Sequence, residues 1–247
     1  SLDIVKQFSQ GADFPVRIFG NKRRGIGRNW NNCIRHARGA YIKLLMQDDI
    51  LLPGCLDALY KALQREPRAA FSFCRREIIV EGETSYTRAH SSKISDLQVG
   101  LTYPIEDGHV DGRKMLGDLG LLSAPRNKIG EPTVVLLRRE TVEKVGPFDE
   151  RMTQGLDFDY WYRCLKVDDA VFVDRVLAQF RVHEKQASFL NKHDKVEAIR
   201  EKRRVMLSLL WHHYSLMHPS VRRQALSSFI YLYLRPLKRR LFGPRPT

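Results

Sequence analysis

Residues 25–56 read GIGRNWNNCIRHARGAYIKLLMQDDILLPGCL, and this stretch decides the fold. Its centre, Tyr41 to Met46 (YIKLLM), is a short apolar run of the kind found in strands buried on both faces. On its left, Asn29 to Ala37 has helical patterning, ended near Gly39. On its right, Pro53 opens a helix over Leu56 to Gln64. Pro15 to Phe19 (PVRIF) reads as a further short strand, behind an amphipathic helix over Leu2 to Phe8 that Gly11 ends. Strand, helix, strand, helix is an α/β plan.

Outward from that unit, Ala70 to Val80 predicts another strand. Residues 81–128 are rich in polar and turn residues, with one helix expected at 113–122. Periodicity resumes with a strand at Thr133 to Leu137 and helices around Arg139 to Val145 and Phe158 to Val167. A strand follows at Ala170 to Val182. From Asn191 the pattern is helical only, with a break at His218-Pro219 and a last helix from Ser220 toward Arg235-Pro236.

The 247 residues are 43% hydrophobic and 28% charged, which excludes disordered, collagen-like and disulfide-scaffold chains. Cys33, Cys55, Cys74 and Cys164 form no C-x-x-C pair, so they signal neither zinc nor a disulfide framework, and a reducing compartment such as the cytoplasm fits best. No apolar run approaches the roughly 18 residues that span a bilayer. The net charge is +14, and residues 190–247 hold thirteen basic and three acidic residues, a net +10. A basic tail is the electrostatic footprint of nucleic-acid binding, yet no zinc finger, RRM signature or basic zipper accompanies it. The tail also carries an apolar stripe, Leu226, Phe229, Ile230, Tyr233, Leu237 and Leu241, beside Arg222, Arg223, Arg235, Lys238, Arg239 and Arg240. Such a helix suits an anionic leaflet at the inner face of a membrane, or equally an ordinary packing role.

Four places carry candidate chemistry. Asp48-Asp49 emerges at the carboxyl end of the central strand, where open α/β sheets bind ligands. Two acids there can hold a divalent cation and a polar substrate group, provided the strand ends by Gln47 so that they converge. In GLDFDYWYR (155–163), Asp157 falls in the first turn of a helix, where the dipole stabilises a carboxylate able to act as general base. Asp159 and Arg163 are four apart and can pair, with Asp159 the next candidate base, and Trp161 shares the face of Asp157. His183 follows a strand. The loop NKRRGIGR has the glycines and cations of a phosphate site without matching a known phosphate-loop pattern. Singly, each is also what a cap, a surface ion pair or a solvated loop would show.

In order, the series from GIGRNWNN to LLPGCL, then GEPTVVLLRRETVEKVGPFDERM, GLDFDYWYR and FRVHEKQAS, resembles the inverting nucleotide-sugar glycosyltransferases with the GT-A fold (glycosyltransferase family 2-like), over about Ile18 to Ser188. The resemblance implies a Rossmann-like, mixed but mainly parallel sheet flanked by helices, with 1–188 as the catalytic domain and 189–247 as a basic helical extension. It implies Asp49 and His183 as ligands of Mg²⁺ or Mn²⁺, and Arg28, Asn29 and Asp48 as donor contacts. Asp157 becomes the catalytic base, with Trp161 and Arg163 at or supporting the acceptor site. Met46-Gln47 and Leu156 depart from the family pattern, the last replacing a glutamate. The implied partners are a nucleotide-diphosphate sugar and a glycan or lipid-linked acceptor, with no nucleic acid. The resemblance also places two strands before the helix at Leu2, and this sequence lacks them. The rival readings are a catalytically inactive member acting as a membrane-peripheral partner and a basic nucleic-acid-binding protein.

Overall fold

The structure, a computed structural model, describes residues 2–22, 25–186, 189 and 195–242, of which 195–196 and 235–242 are described in backbone alone. The elements are α1 (Leu2–Gly11), α2 (Ile26–His36), β1 (Tyr41–Lys43), β2 (Ile50–Leu51), α3 (Cys55–Arg65), β3 (Ala69–Val80), α4 (Ser85–Ile94), β4 (Gly108–Val110), α5 (Gly112–Leu116), a 3-10 turn (Pro132–Val134), β5 (Val135–Arg138), α6 (Arg139–Val145), α7 (Leu156–Val167), β6 (Asp169–Val182), α8 (Lys195–His213) and α9 (Pro219–Phe242).

The strands form one mixed sheet in the order β1-β5-β3-β6-β2, with β4 also paired to β6. The expected balance within the sheet is corrected. β3 and β6 pair in parallel from Ala69↔Asp169 to Val80↔Val182, whereas β1/β5, β3/β5, β2/β6 and β4/β6 are antiparallel. The reason lies in β5, which runs against both of its neighbours, and in β2 and β4, which both run against β6. Pro15 to Phe19 is not a strand. Arg17 donates to the His36 carbonyl at 2.5 Å and the Phe19 ring stacks on His36 at 3.7 Å, so the segment lies along the end of α2. Residues 81–128 are more ordered than their composition predicts. Thr84 and Thr87 build a reciprocal capping box for α4, and the helix expected at 113–122 is the short α5. The last helix continues through Pro236 to Phe242.

The core fills both faces of β3 over Ala69 to Cys74 and of β6 over Ala170 to Val173. Phe71 packs on Trp161 (centroids 5.8 Å) and Phe73 on Phe172 (4.9 Å), while Leu59 and Leu63 of α3 are fully buried. Each such side chain contributes about 1.5–3 kcal/mol by leaving water. Tyr160, Trp161 and Tyr162 are all fully buried, which makes α7 the central helix of the layer. The terminal helices join the same core, through Val205, Met206 and Leu209 of α8 and Val221, Ala225 and Leu232 of α9. Gly27 explains the start of α2. A Cβ there would lie 3.2 Å from the Asp149 carbonyl, the Glu150 Cα and Leu156, so the glycine admits the close approach of this helix to residues 149–156.

Candidate active site

The position of Asp48 and Asp49 follows from topology. β1 and β2 lie at opposite ends of the strand order, four steps or about 19 Å apart, and the seven residue-to-residue steps from Lys43 to Ile50 reach about 24 Å when extended. The link must therefore cross the end of the sheet with little slack. It turns once, where the Asp49 N–H donates to the Met46 carbonyl at 3.3 Å. The strand stops at Lys43, and the two carboxylates point to different partners. Asp49 is buried, accepting from the Thr133 hydroxyl at 2.6 Å and from the Arg181 N–H at 3.2 Å. Burial lifts its pKa to about 6, against the pull of those two hydrogen bonds. Asp48 faces His183, Oδ2 to Nε2 at 3.2 Å, and its own carbonyl accepts from Arg181 Nε at 3.0 Å.

The tautomer of His183 follows from its other side. The Lys185 N–H donates to Nδ1 at 3.1 Å, so the ring proton sits on Nε2 and is given to Asp48. A metal-binding histidine shows the reverse, with a lone pair toward the cation and the other ring nitrogen donating. His183 thus turns a protonated Nε2 toward Asp48, and each Asp49 oxygen already accepts one hydrogen bond, so the ligands expected from the resemblance do not fit a ready cation site between them. No group of three His, Cys, Asp or Glu side chains converges as a metal set among the described residues.

Asp157 stands in the first turn of α7. That helix starts at Gly155, whose φ of 68° is left-handed, and a Cβ there would strike the Phe158 ring at 2.7 Å. The carboxylate accepts from Asn127 Nδ2 at 2.9 Å and from the Phe158 N–H at 2.8 Å. Burial raises its pKa to about 7, and the charge of Glu131 adds to the rise. Glu131 also contributes, as the smallest cause, to the raised pKa of Asp49. Glu131 is held by Arg76, with Nε 2.5 Å from Oε2, in a nearly buried pair. It reaches Arg76 because β5 pairs β3 only as far as Phe73.

The remaining expected residues are placed as follows. Arg28 and Asn29 lie exposed on α2, with Arg28 Nε 3.4 Å from Glu150. Trp161 is fully buried and donates to the Gly130 carbonyl at 2.8 Å, so it supports the layer and has no surface to offer an acceptor. Arg163 clamps α7 to the carbonyls of Val145 and Pro147, and pairs with Asp159 at 3.1 Å. Asp159 is buried and also accepts from Ser208. Of the NKRRGIGR loop, Arg23 and Arg24 lie outside the described residues.

Sequence reasoning missed Asn31, Arg76, Asn127, Glu131 and Thr133. Asn31 is buried and joins α2 to the 147–150 segment by exchanging hydrogen bonds with Phe148 (3.0 and 2.9 Å). Asn127 is oriented unambiguously, because its Oδ1 accepts from the N–H groups of Ile129 and Gly130, which aims the amide nitrogen at Asp157. That bond favours the ionised carboxylate. Asn127→Ala is therefore expected to raise the Asp157 pKa above about 7 and to move the acid limb of the transfer rate to higher pH. A pH–rate profile checks this, and an unmoved limb would show that Asn127 does not position Asp157.

The fold is that of a GT-A glycosyltransferase. Staphylococcus aureus TarS 1-349 in complex with UDP-GlcNAc superposes with a TM-score of 0.60 at 12% identity, over 98% of this chain and 63% of that one. Residues 1–119 match the family model of Glycosyl transferase family 2, which bears out the resemblance read from the motifs. An uncharacterized protein of Mycobacterium tuberculosis is 30% identical over 66% of this chain and 49% of its own length. An uncharacterized glycosyltransferase of Rickettsia typhi is 25% identical over 81% of this chain and 58% of its own. The chain spans about half the length of these curated relatives.

Proposed function

We propose that this chain transfers a sugar from a nucleoside-diphosphate donor to a hydroxyl of a glycan or lipid-linked acceptor, with inversion at the anomeric carbon. The observation that carries this reading is Asp157, a carboxylate in the first turn of α7 that accepts from Asn127 and has its pKa raised to about 7 by burial. The acceptor oxygen attacks the anomeric carbon as the bond to the diphosphate oxygen breaks, and the hydroxyl proton passes to Asp157. One in-line displacement inverts the centre and needs no covalent nucleophile. Charge gathering on the departing diphosphate falls to donors at the crossing loop, of which His183 Nε2–H and the Arg181 guanidinium are placed beside Asp48. Should Mg²⁺ or Mn²⁺ accompany the donor, Asp48, expected as a donor contact, would offer it the carboxylate oxygen that does not face His183.

UDP-GlcNAc, the ligand of TarS, is the first donor to try. Asp48→Ala is expected to weaken its binding at least tenfold, about 1.4 kcal/mol, because the crossing loop loses the anchor of His183. Calorimetry with and without Mn²⁺ measures it. Equal affinity in a folded variant would remove the Asp48–His183 pair from the donor site.

A further inference from the structure

After Glu201 the sequence contains ten lysines and arginines and no aspartate or glutamate up to Thr247. The same stretch turns an unusual amount of apolar surface outward. Leu207 and Trp211 of α8 and Tyr214 in the turn just after it recur at i, i+4 and i+7, and Trp211 is 81% exposed. On α9, Leu226, Ile230, Tyr233 and Leu234 recur at i, i+4, i+7 and i+8, with Ile230 52% and Leu234 55% exposed. The opposite faces of both helices are already buried in the core. A helix packed on one side of a soluble protein normally presents charged and polar residues on the other, and these two present leucine, isoleucine and aromatics.

The two exposed rows belong to one surface. Arg203 of α8 donates to the Leu232 carbonyl at 2.6 and 3.0 Å, and its guanidinium lies 4.6 Å from the Tyr233 ring centre. Arg222 of α9 lies 5.0 Å from the Tyr214 ring centre. The seam between the helices is thus lined by alternating guanidinium and phenol groups, with an apolar row on each side. Neither helix is long and apolar enough to cross a membrane.

We propose that the outer face of α8 and α9 docks in the plane of an anionic lipid surface, with Trp211, Ile230 and Leu234 inserted at headgroup depth and the acid-free cationic stretch drawing the face down. The lipid reading follows from the combination. Cations alone would suit any polyanion, but a continuous aliphatic row gains nothing against a phosphodiester backbone and gains burial in an acyl boundary. Aromatic residues at the seam have the amphipathic form that settles at a membrane–water boundary. The expected stripe residues Leu237 and Leu241 have side chains outside the described residues, and the proposal does not use them.

The test is co-sedimentation of the 247-residue chain with vesicles of phosphatidylcholine alone, and with about one third phosphatidylglycerol, at low salt and at about 0.5 M NaCl. Binding is expected to the anionic vesicles only, weakened at least tenfold by salt. A blue shift of tryptophan emission should accompany it and vanish in Trp211→Phe. The double variant Ile230→Glu/Leu234→Glu, at exposed sites, should melt like the parent and lose vesicle binding at least tenfold. Three results would each overturn the proposal: equal binding to neutral vesicles, full vesicle binding by the double variant, or duplex DNA bound as tightly as the anionic vesicles. Self-association that the double variant abolishes, without lipid binding by either form, would also overturn it and assign the face to a second copy of the chain.

Discussion

Replacing Asp157 by asparagine is expected to slow sugar transfer by about 10² to 10⁴ and to leave donor affinity unchanged. The amide keeps the shape of the side chain and its oxygen can still accept from Asn127, but it cannot take the proton of the attacking hydroxyl. Stability separates this outcome from a folding defect. The folded-state pKa of about 7 lies above that of an unfolded aspartate, so the native protein holds the extra proton between about pH 4 and 7. Its contribution to stability is full below that range and is lost as the pH rises through it, because the ionised group is then buried near Glu131. Asp157→Asn removes the titration. It should melt at the parent temperature or above it at pH 8, and gain less at pH 5. Thermal melting at the two pH values, alongside turnover, checks both halves. Turnover near that of the parent would move the base elsewhere. Asp159 is poorly placed to inherit the role, since Arg163 and Ser208 occupy its oxygens, and Glu131 and Asp49 are engaged in the same way, by Arg76 and by Thr133 with the Arg181 N–H.

Trp161→Ala is expected to cost about 3–5 kcal/mol of stability, the range for emptying a buried aromatic site. At about 2–4 °C per kcal/mol for a chain of this size, the melting temperature falls by roughly 6–20 °C. The indole touches Phe71, Phe148 and Tyr160, with ring centroids 5.8, 6.1 and 5.8 Å away, so the cavity opens where three elements meet. The Gly130 carbonyl is not orphaned, because Asn127 also donates to it at 2.9 Å, and the loss is one of packing. Differential scanning calorimetry measures it. A variant that melts like the parent and loses only acceptor affinity would return Trp161 to the acceptor site.

The elements legible in the sequence are those whose pattern is local. The buried half of β3, the helix from Arg139 to Val145 and the helix carrying Asp157 show their periodicity within a dozen residues. PVRIF has the composition of a strand, but a strand also needs a hydrogen-bonded neighbour, and the segment instead meets His36. The direction of β5 was hidden because an apolar run does not say which way it lies in a sheet. At the candidate site, the order of motifs points to Asp48, Asp157 and His183, and the structure brings Asp48 and His183 together. Asn127 and Glu131 sit in or beside the stretch with no periodicity, and Asn127 meets Asp157 across thirty residues of sequence. The inward aim of Trp161 was equally invisible, since aromatic residues on three consecutive positions of a helix cannot all be assigned a face from spacing alone.

The parallel pairing of β3 with β6 has a consequence for biosynthesis. The two strands begin at Ala69 and Asp169, so the longest ladder of the protein cannot close until residue 182 has left the ribosome. Until then the growing chain carries the apolar run from Ala69 to Cys74 without that neighbour. Contacts of such sequence separation are slow to form, and a nascent chain waiting for them exposes a sticky edge. Synthesis pace and chaperone capture over the stretch between Val80 and Asp169 should therefore govern how much active protein a cell obtains.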